Sequence, residues 1–410
     1  MASDTSKRLA LAGISLVVAL VFVEVAVRII EPREVLREFF ETPDPVLHHK
    51  LIPGARGRQK NMEFDAPYEI NSLGLRDREF PRAKPAGTKR ILVLGDSFTE
   101  GVGVSGPETF SSQLQGLLDA AGFGGWQIIN AGVASYSPLL EYLYLKTQGL
   151  SLEPDLVLLN LDLSDVYDDF DYAKLAQYDA HGEPVAVHGE PPHEAGSWPM
   201  ELLVGIKDLA KYQTRTYNFV RRRLYVYTDR ARKNVDMSGN VRTDKYGMLR
   251  EELAPDDRDW TQTYANILTI RDVLRARQID FWIGVYPYAL QVSTKEWIAG
   301  RKFWGFRLDH VYADRPQQWV VDFGRKNDIP VLNMVQDFRD AATTVFPLFY
   351  EGDGHWRAAG HRVAAAAWFK ALTPYLRAHD AEETSGVDGA TSAATPPPTV
   401  PDAHSPSNAR

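Results

Sequence analysis

The stretch Arg90-Ile-Leu-Val-Leu-Gly95-Asp96-Ser97-Phe98-Thr99-Glu100-Gly101 joins a short apolar run to a polar turn. The run Arg90–Gly95 has the length and composition of a strand buried on both faces, which is typical of a parallel sheet. The turn after it places Ser97 at the start of a helix. Because ligands of open α/β sheets bind beyond the carboxyl ends of the strands, we expect Ser97 to face a site.

The alternation of apolar runs and helical spacing continues along the chain. Four more strands are predicted over 126–132, 155–161, 280–286 and 329–333, with helices over 108–121, 138–149, 261–277, 317–327 and 358–375. This order predicts a three-layer α/β/α sandwich around a flavodoxin-like parallel sheet of about five strands. A long insertion follows the third strand, over about 163–259, and a helix is predicted within it over 201–233.

The composition of the terminal segments predicts that the chain is divided into four parts. Residues 1–31 contain the apolar run Leu9–Ile30, which would reach roughly 33 Å as a helix and is interpreted as a membrane anchor. A cleaved signal peptide is the alternative. Residues 32–88 are interpreted as a stalk and lead-in, 89–378 as the main α/β domain and 379–410 as a disordered tail. We expect the main domain to be extracytoplasmic, although the flanking charges do not decide the orientation.

Composition excludes several function classes. The 410 residues carry a formal net charge of −8 and contain no cysteine. An acidic chain is a poor partner for nucleic acid, and disulfides and thiolate catalysis are excluded. No cofactor or metal is predicted, because the acidic run at 162, 165, 168, 169 and 171 lacks the pattern of a calcium-binding loop and reads as a solvated rim. The basic stretch 211–233 is interpreted as a solvated helix face, with an anionic polysaccharide or lipid surface as the alternative.

A serine nucleophile needs a base, and the candidate lies near the other end of the chain. The run Tyr350-Glu-Gly-Asp353-Gly-His355-Trp356 precedes the last predicted helix, so His355 is expected at the same edge of the sheet as Ser97. Asp353 stands two residues before His355 and could orient the imidazole ring.

Three blocks, Gly95-Asp96-Ser97, Asn130-Ala131-Gly132 and Asp353-x-His355, together resemble the SGNH (GDSL-type) hydrolase family. The resemblance implies Ser97 as nucleophile, His355 as base, and the N–H groups of Ser97 and Gly132 as oxyanion donors. The chain departs from that family at two positions. The family's acid usually stands three residues before the histidine, which is Gly352 here, so Asp353 is the expected acid and Glu351 the alternative. The family's third-block Asn falls on Ser164, whose hydroxyl could donate instead.

The segment Asn71–Arg76 and the apolar N-terminus also resemble membrane-anchored bacterial members of that family, several of which act on cell-surface polysaccharide. The implied activity is hydrolysis of acyl esters, with acetyl esters of carbohydrate expected first, and the N-terminal helix makes the membrane a partner. Two alternatives remain open. One is an O-acetyltransferase that uses the same Ser97 intermediate with a membrane partner as acetyl donor. The other is a non-catalytic carbohydrate-binding relative.

Overall fold

The structure, a computed structural model, describes residues 2–30, 40–61, 63–189, 216, 249 and 260–386. The chain divides into two compact units. The first comprises Met1–Leu36, Lys60–Met62 and Glu190–Asp244. The second comprises Arg37–Gln59, Glu63–Gly189 and Lys245–Arg410, and it contains the central sheet and the candidate site.

The first unit contains helix α1 (Ala2–Ile30). Its segment Ser6–Val27 is 22 residues long with a mean hydropathy of 2.6. At a rise of about 1.5 Å per residue, a helix of this length spans roughly 33 Å, close to the hydrocarbon thickness of a bilayer. The predicted apolar helix is therefore present, and it is long and apolar enough to cross a membrane.

Five parallel strands form the centre of the second unit. They are β5 (Lys89–Gly95), β6 (Trp126–Asn130), β7 (Leu156–Leu161), β10 (Asp280–Val285) and β11 (Val331–Asn333). Their spatial order is β6-β5-β7-β10-β11, which is 2-1-3-4-5 in order of appearance within the sheet. This is the flavodoxin-like order, and it confirms the predicted fold. Every position from Ile91 to Leu94 is fully buried, as expected for strands covered on both faces.

Helices connect and cover these strands. The connecting and covering helices are α2 (Ser97–Glu100), α3 (Phe110–Ala120), α4 (Pro138–Thr147), α5 (Asp165–Ala173), α6 (Thr261–Arg275), α7 (Ala289–Val292), α8 (Ile298–Trp304), α9 (Arg315–Lys326), α10 (Val335–Ala341) and α11 (Ala358–Gly386). Helix α3 packs on α11, whereas α4 packs on α5 and α6. The connection from β5 to β6 through α3 runs in one direction along the sheet, and the connection from β6 to β7 through α4 runs in the opposite direction. Right-handed crossovers therefore place the two helices on opposite faces of the sheet.

The strand order creates a switch point between β5 and β7. In the register of this pair, Gly95 lies opposite Asn160, so the two strands end at the same level. The chain leaves β5 toward one side and β7 toward the other, which opens a crevice beyond their carboxyl ends. Asp96 and Ser97 follow one strand, and Asp162 and Ser164 follow the other.

The prediction of a stalk over 32–88 is wrong for the described residues 40–61 and 63–88. They form two antiparallel pairs, β1 (Glu41–Asp44) with β2 (His48–Leu51), and β3 (Arg56–Lys60) with β4 (Asp65–Glu69). Tyr68 is fully buried, and the buried Arg76 guanidinium donates hydrogen bonds to the carbonyls of Glu100 and Val104. Apart from positions 60 and 61, the segment is thus folded as part of the second unit.

Two further boundaries differ from expectation. The insertion begins with α5 and a hairpin of β8 (Ala176–Tyr178) and β9 (Pro184–Val187), whereas the helix predicted over 201–233 lies outside the described residues apart from position 216. The predicted tail does not start at 379, because α11 continues to Gly386. Asp380 holds this extension by accepting hydrogen bonds from Lys89 Nζ at 2.8 Å and Trp126 Nε1 at 3.1 Å. Residues 387–410 lie outside the described residues.

Candidate active site

Ser97, His355 and Asp353 lie together at the carboxyl edge of the sheet. Ser97 is the first residue of α2, directly after β5, and His355 lies three residues before α11. The Ser97 Oγ is 2.7 Å from the His355 Nε2, and the His355 Nδ1 is hydrogen-bonded to the Asp353 carboxylate. The structure therefore brings the predicted nucleophile, base and acid into one connected line, although 258 positions separate Ser97 from His355.

The choice between two acids is made by their hydrogen bonds. Asp353 contacts the imidazole, whereas the Glu351 carboxylate accepts the Ala299 N–H at 2.8 Å. Glu351 is therefore engaged with α8 and is not the partner of His355. Asp353 remains about a quarter exposed in its side chain, at 24%.

The turn that carries Asp353 and His355 is closed by its own backbone. Tyr350 N–H donates to the His355 carbonyl at 2.8 Å, and Gly354 N–H donates to the Tyr350 carbonyl at 3.1 Å. Gly354 has φ of 88°, a left-handed conformation that favours glycine. The ring of Phe98 packs against the imidazole with 4.8 Å between ring centroids. This contact limits the rotation of His355 beside Ser97.

Asp96 is the buried neighbour of the nucleophile. Its Oδ1 caps α2 by accepting the Phe98 N–H at 2.9 Å, and its Oδ2 lies 3.3 Å from the Ser97 Oγ. Burial, reinforced by the charge of Asp162 and a hydrogen bond to it, raises the pKa of Asp96 well above its ordinary value. The Ser97 Oγ lies closer to the His355 Nε2, at 2.7 Å, than to the Asp96 carboxyl, so His355 is its nearer hydrogen-bond partner.

Gly132 does not take the role that the family resemblance implies. Its N–H donates to the Asn130 side chain at 3.0 Å, and Gly132 is not part of the cavity wall beside Ser97. A Cβ at this position would lie 2.4 Å from the Glu100 nitrogen. Glycine is therefore required for close packing between the turn after β6 and helix α2, and the structure does not offer its N–H as an oxyanion donor.

The other two predicted oxyanion donors do lie at the cavity. Ser97 provides the first N–H of α2, which has no intrahelical acceptor because of its position. Ser164 precedes α5 and lines the same cavity as Ser97. Its N–H donates to the Asp162 carboxylate at 3.1 Å, which fixes its backbone at the cavity wall.

A cavity of about 250 Å³ opens over these residues. Sequence reasoning missed two of its aromatic side chains, Tyr288 and Trp297. Tyr288 follows the end of β10 closely, which is a signal that could have identified it, whereas Trp297 comes after α7 and carries no such signal. Carboxyl and aromatic groups dominate the wall, namely Asp96, Asp162, Asp168, Asp353, Phe98, Tyr167, Tyr288 and Trp297.

The acidic run predicted to be a solvated rim is largely buried. Asp162, Asp165 and Asp169 are 3%, 1% and 0% exposed. Asp162 accepts the Tyr288 hydroxyl at 2.5 Å, and Asp169 accepts the Ser137 hydroxyl at 2.6 Å. Hydroxyl donors from elements distant in sequence thus stabilise these carboxyls in the interior. Among the described residues, no group of three or more His, Asp or Glu side chains is arranged to hold a metal ion.

Buried carboxyls make stability depend on pH. Burial, then the charges of Asp169 and Asp96, raise the pKa of Glu141 well above its usual value. Its stabilising contribution is therefore complete below the unfolded pKa of about 4.3 and is lost as the pH rises toward the folded pKa. We predict that the free energy of unfolding of Glu141→Gln exceeds that of the wild type by at least ~1 kcal/mol at pH 8. This difference should shrink toward pH 5.

The control for this prediction is Glu183→Gln. Hydrogen bonds from Tyr142 and Lys146 lower the pKa of Glu183, so the same substitution there removes stability that is present at high pH. Urea unfolding of the full chain in detergent measures both variants. A Glu141→Gln difference that stays constant from pH 5 to pH 8 would show that Glu141 does not titrate with unfolding.

No protein-family model matches this chain, and no curated protein matches it. Among solved structures, a catalytic mutant of Axe2, an acetylxylan esterase from Geobacillus stearothermophilus, is 13% identical; the match covers 70% of this chain and 95% of the esterase, with a TM-score of 0.37. The acetyl xylan esterase AlAXEase is 12% identical, with coverages of 69% and 99% and a TM-score of 0.36. A GDSL-like lipase from Bacteroides thetaiotaomicron is 12% identical, with coverages of 72% and 93% and a TM-score of 0.33.

The class of protein is defined by the chain's own fold and site. A five-stranded parallel sheet in the order 2-1-3-4-5 carries a Ser-His-Asp line at its carboxyl edge. This is an α/β protein of flavodoxin-like strand order whose sheet edge carries a hydrogen-bonded serine, histidine and aspartate.

Proposed function

We propose that this chain is a serine ester hydrolase of the SGNH type that acts on acyl esters through a covalent acyl-enzyme. The observation that carries the proposal is the 2.7 Å contact between the Ser97 Oγ and the His355 Nε2, with Asp353 on the far side of the ring. A serine hydroxyl is a weak nucleophile until a base at this distance accepts its proton.

The geometry supports a two-step reaction. The Ser97 Oγ attacks the ester carbonyl carbon while His355 Nε2 takes its proton. The tetrahedral intermediate then expels the alcohol, which receives that proton from His355, and Ser97 is left acylated. A water molecule attacks the acyl carbon with His355 again as base, and the acid and free Ser97 are released. Asp353 stays ionised throughout and stabilises the imidazolium.

The oxyanion is held, in this proposal, by the N–H of Ser97 and the hydroxyl of Ser164. Both groups border the cavity beside the nucleophile. Losing one such donor costs about 3–4 kcal/mol of transition-state stabilisation in a comparable hydrolase. A hydroxyl at position 164 thus supplies one donor where the family has an amide.

The cavity wall indicates the substrate class. About 250 Å³ accommodates an acetyl group together with part of a sugar ring, and the aromatic residues Tyr288 and Trp297 are among those that line this space. Among the described residues of the wall, no lysine or arginine is present to pair with an anionic substrate. We therefore assign neutral acetylated carbohydrate as the substrate. Helix α1 is proposed to anchor the chain in a membrane with the catalytic unit outside the cytoplasm, beside cell-surface carbohydrate.

Product analysis tests this proposal and separates hydrolysis from transfer. The full chain in detergent is incubated with a neutral acetylated xylooligosaccharide and an isotope-labelled acceptor that lacks acetyl groups. We expect free acetate from the wild type and none above background from Ser97→Ala. Acetate found on the labelled acceptor would instead make the chain an O-acetyltransferase. No acetate in either form would contradict the proposed substrate.

A further inference from the structure

We infer that Glu63 is a positioning residue of the active site, whose carboxylate holds the turn that carries Asp353. This inference rests on the proposed function of Ser97, His355 and Asp353. Glu63 comes from the segment before β4, and 290 positions separate it from Asp353. No motif in the sequence links the two.

One carboxylate accepts hydrogen bonds from three successive backbone N–H groups. Glu63 Oε1 accepts from Glu351 at 2.7 Å and from Gly352 at 3.0 Å. Glu63 Oε2 accepts from Gly352 at 3.0 Å and from Asp353 at 2.7 Å. Hydrogen bonds to a charged acceptor are roughly twice as strong as those between neutral groups, so this contact fixes the backbone of the turn more firmly than a neutral side chain would.

The fixed backbone determines where the catalytic side chains lie. Asp353 Oδ1 is hydrogen-bonded to the His355 Nδ1 and lies 3.3 Å from the His355 backbone nitrogen. A shift of residue 353 therefore moves the imidazole relative to the Ser97 hydroxyl. A misplacement of about 1 Å between reacting groups can cost roughly 10²-fold in rate.

The turn needs such a clamp because solvent reaches it. Gly352 and Asp353 are exposed, and Gly352 has no side chain to pack. The Glu351 carboxylate accepts the Ala299 N–H of α8, which ties residue 351 but neither Gly352 nor Asp353 to that helix. Glu63 is the group that joins residues 351, 352 and 353 to a single point of the fold.

The test compares Glu63→Ala, Glu63→Gln and the control Asp65→Ala in the full chain. Asp65 is a nearby exposed carboxylate that pairs with Arg58 at 2.6 Å and lies outside the turn. We expect Glu63→Ala to lower kcat for 4-nitrophenyl acetate by about 10- to 100-fold per titrated site, with KM within about twofold. Glu63→Gln keeps one carbonyl acceptor, so its kcat should fall between those of the wild type and Glu63→Ala. Asp65→Ala should match the wild type.

A second readout does not depend on turnover. The proton between the His355 Nδ1 and Asp353 should give a downfield ¹H resonance in the wild type and in Glu63→Gln, and Glu63→Ala should broaden or abolish it. Wild-type kcat and an intact resonance in Glu63→Ala would overturn the inference while the proposed function stands. A wild type that shows the His355–Asp353 resonance but does not hydrolyse the ester would overturn the proposed function instead. A lowered melting temperature with unchanged kcat per titrated site would reduce Glu63 to a structural role and also overturn the inference.

Discussion

Replacing Ser97 by alanine is expected to lower kcat/KM for 4-nitrophenyl acetate by at least about 10⁴-fold. The substitution removes the oxygen that attacks the carbonyl and leaves His355 without the proton donor that lies 2.7 Å away. The structural cost should be small, because Ser97 begins a four-residue helix whose cap is the Asp96 carboxylate. Steady-state kinetics together with urea unfolding would separate the chemical loss from any loss of folding.

Ser164→Ala provides the matched control for this prediction. It removes a hydroxyl from the same cavity but leaves the nucleophile in place. We expect a loss of about 10²- to 10³-fold, as for removal of one oxyanion donor. Equal activity of Ser97→Ala and the wild type would rule out a Ser97 acyl-enzyme.

Replacing Asp353 by asparagine is expected to lower kcat/KM by about 10³-fold. The amide cannot stabilise the imidazolium, and its N–H₂ group would favour the tautomer that leaves Nε2 protonated and unable to accept from Ser97. In a buried serine-protease triad the same change costs about 10⁴-fold. The smaller expected loss here follows from the partial exposure of Asp353, whose side chain is 24% accessible to solvent.

Glu351→Gln is the control for Asp353→Asn. Its side-chain oxygen can still accept the Ala299 N–H, so kcat/KM should stay within about threefold of the wild type. The comparison also decides between the two acids that sequence reasoning left open. A large loss in Glu351→Gln with little loss in Asp353→Asn would contradict the geometry described here.

Much of the fold could be predicted because the buried strands are recognisable in the sequence as short apolar runs. The runs at Ile91–Leu94 and Leu156–Leu159 are apolar throughout, since both faces of a parallel sheet are covered. Ser97 and His355 could be predicted for the same reason, because each stands where the chain turns at the carboxyl edge. Neither prediction needed long-range contacts.

The lead-in before the sheet could not be predicted, because its strands are short and polar. Strand β3 reads Arg56-Gly-Arg-Gln-Lys60 and has no apolar face. The burial of Tyr68 and Arg76 depends on helix α2 and the turn after it, which are distant in sequence. The clamp from Glu63 was missed for the same reason.

Two interpretations failed because a local pattern was satisfied by a different partner. Gly132 matched a family block, but Asn130 takes its N–H and the glycine serves close packing instead. Asp162 and Asp169 belonged to an acidic run typical of a solvated loop. Hydroxyl donors from Tyr288 and Ser137 stabilise them in the interior, and the sequence does not reveal that pairing.

The most direct test of the account is covalent labelling by a fluorophosphonate. The full chain in detergent is incubated with the probe, and the adduct is measured by intact mass and located by peptide mapping. We predict one adduct per chain, on Ser97, no adduct in Ser97→Ala, and labelling at least ~10²-fold slower in Asp353→Asn. Absence of any adduct on the wild type, or an adduct that persists in Ser97→Ala, would contradict the claim that Ser97 is an activated nucleophile.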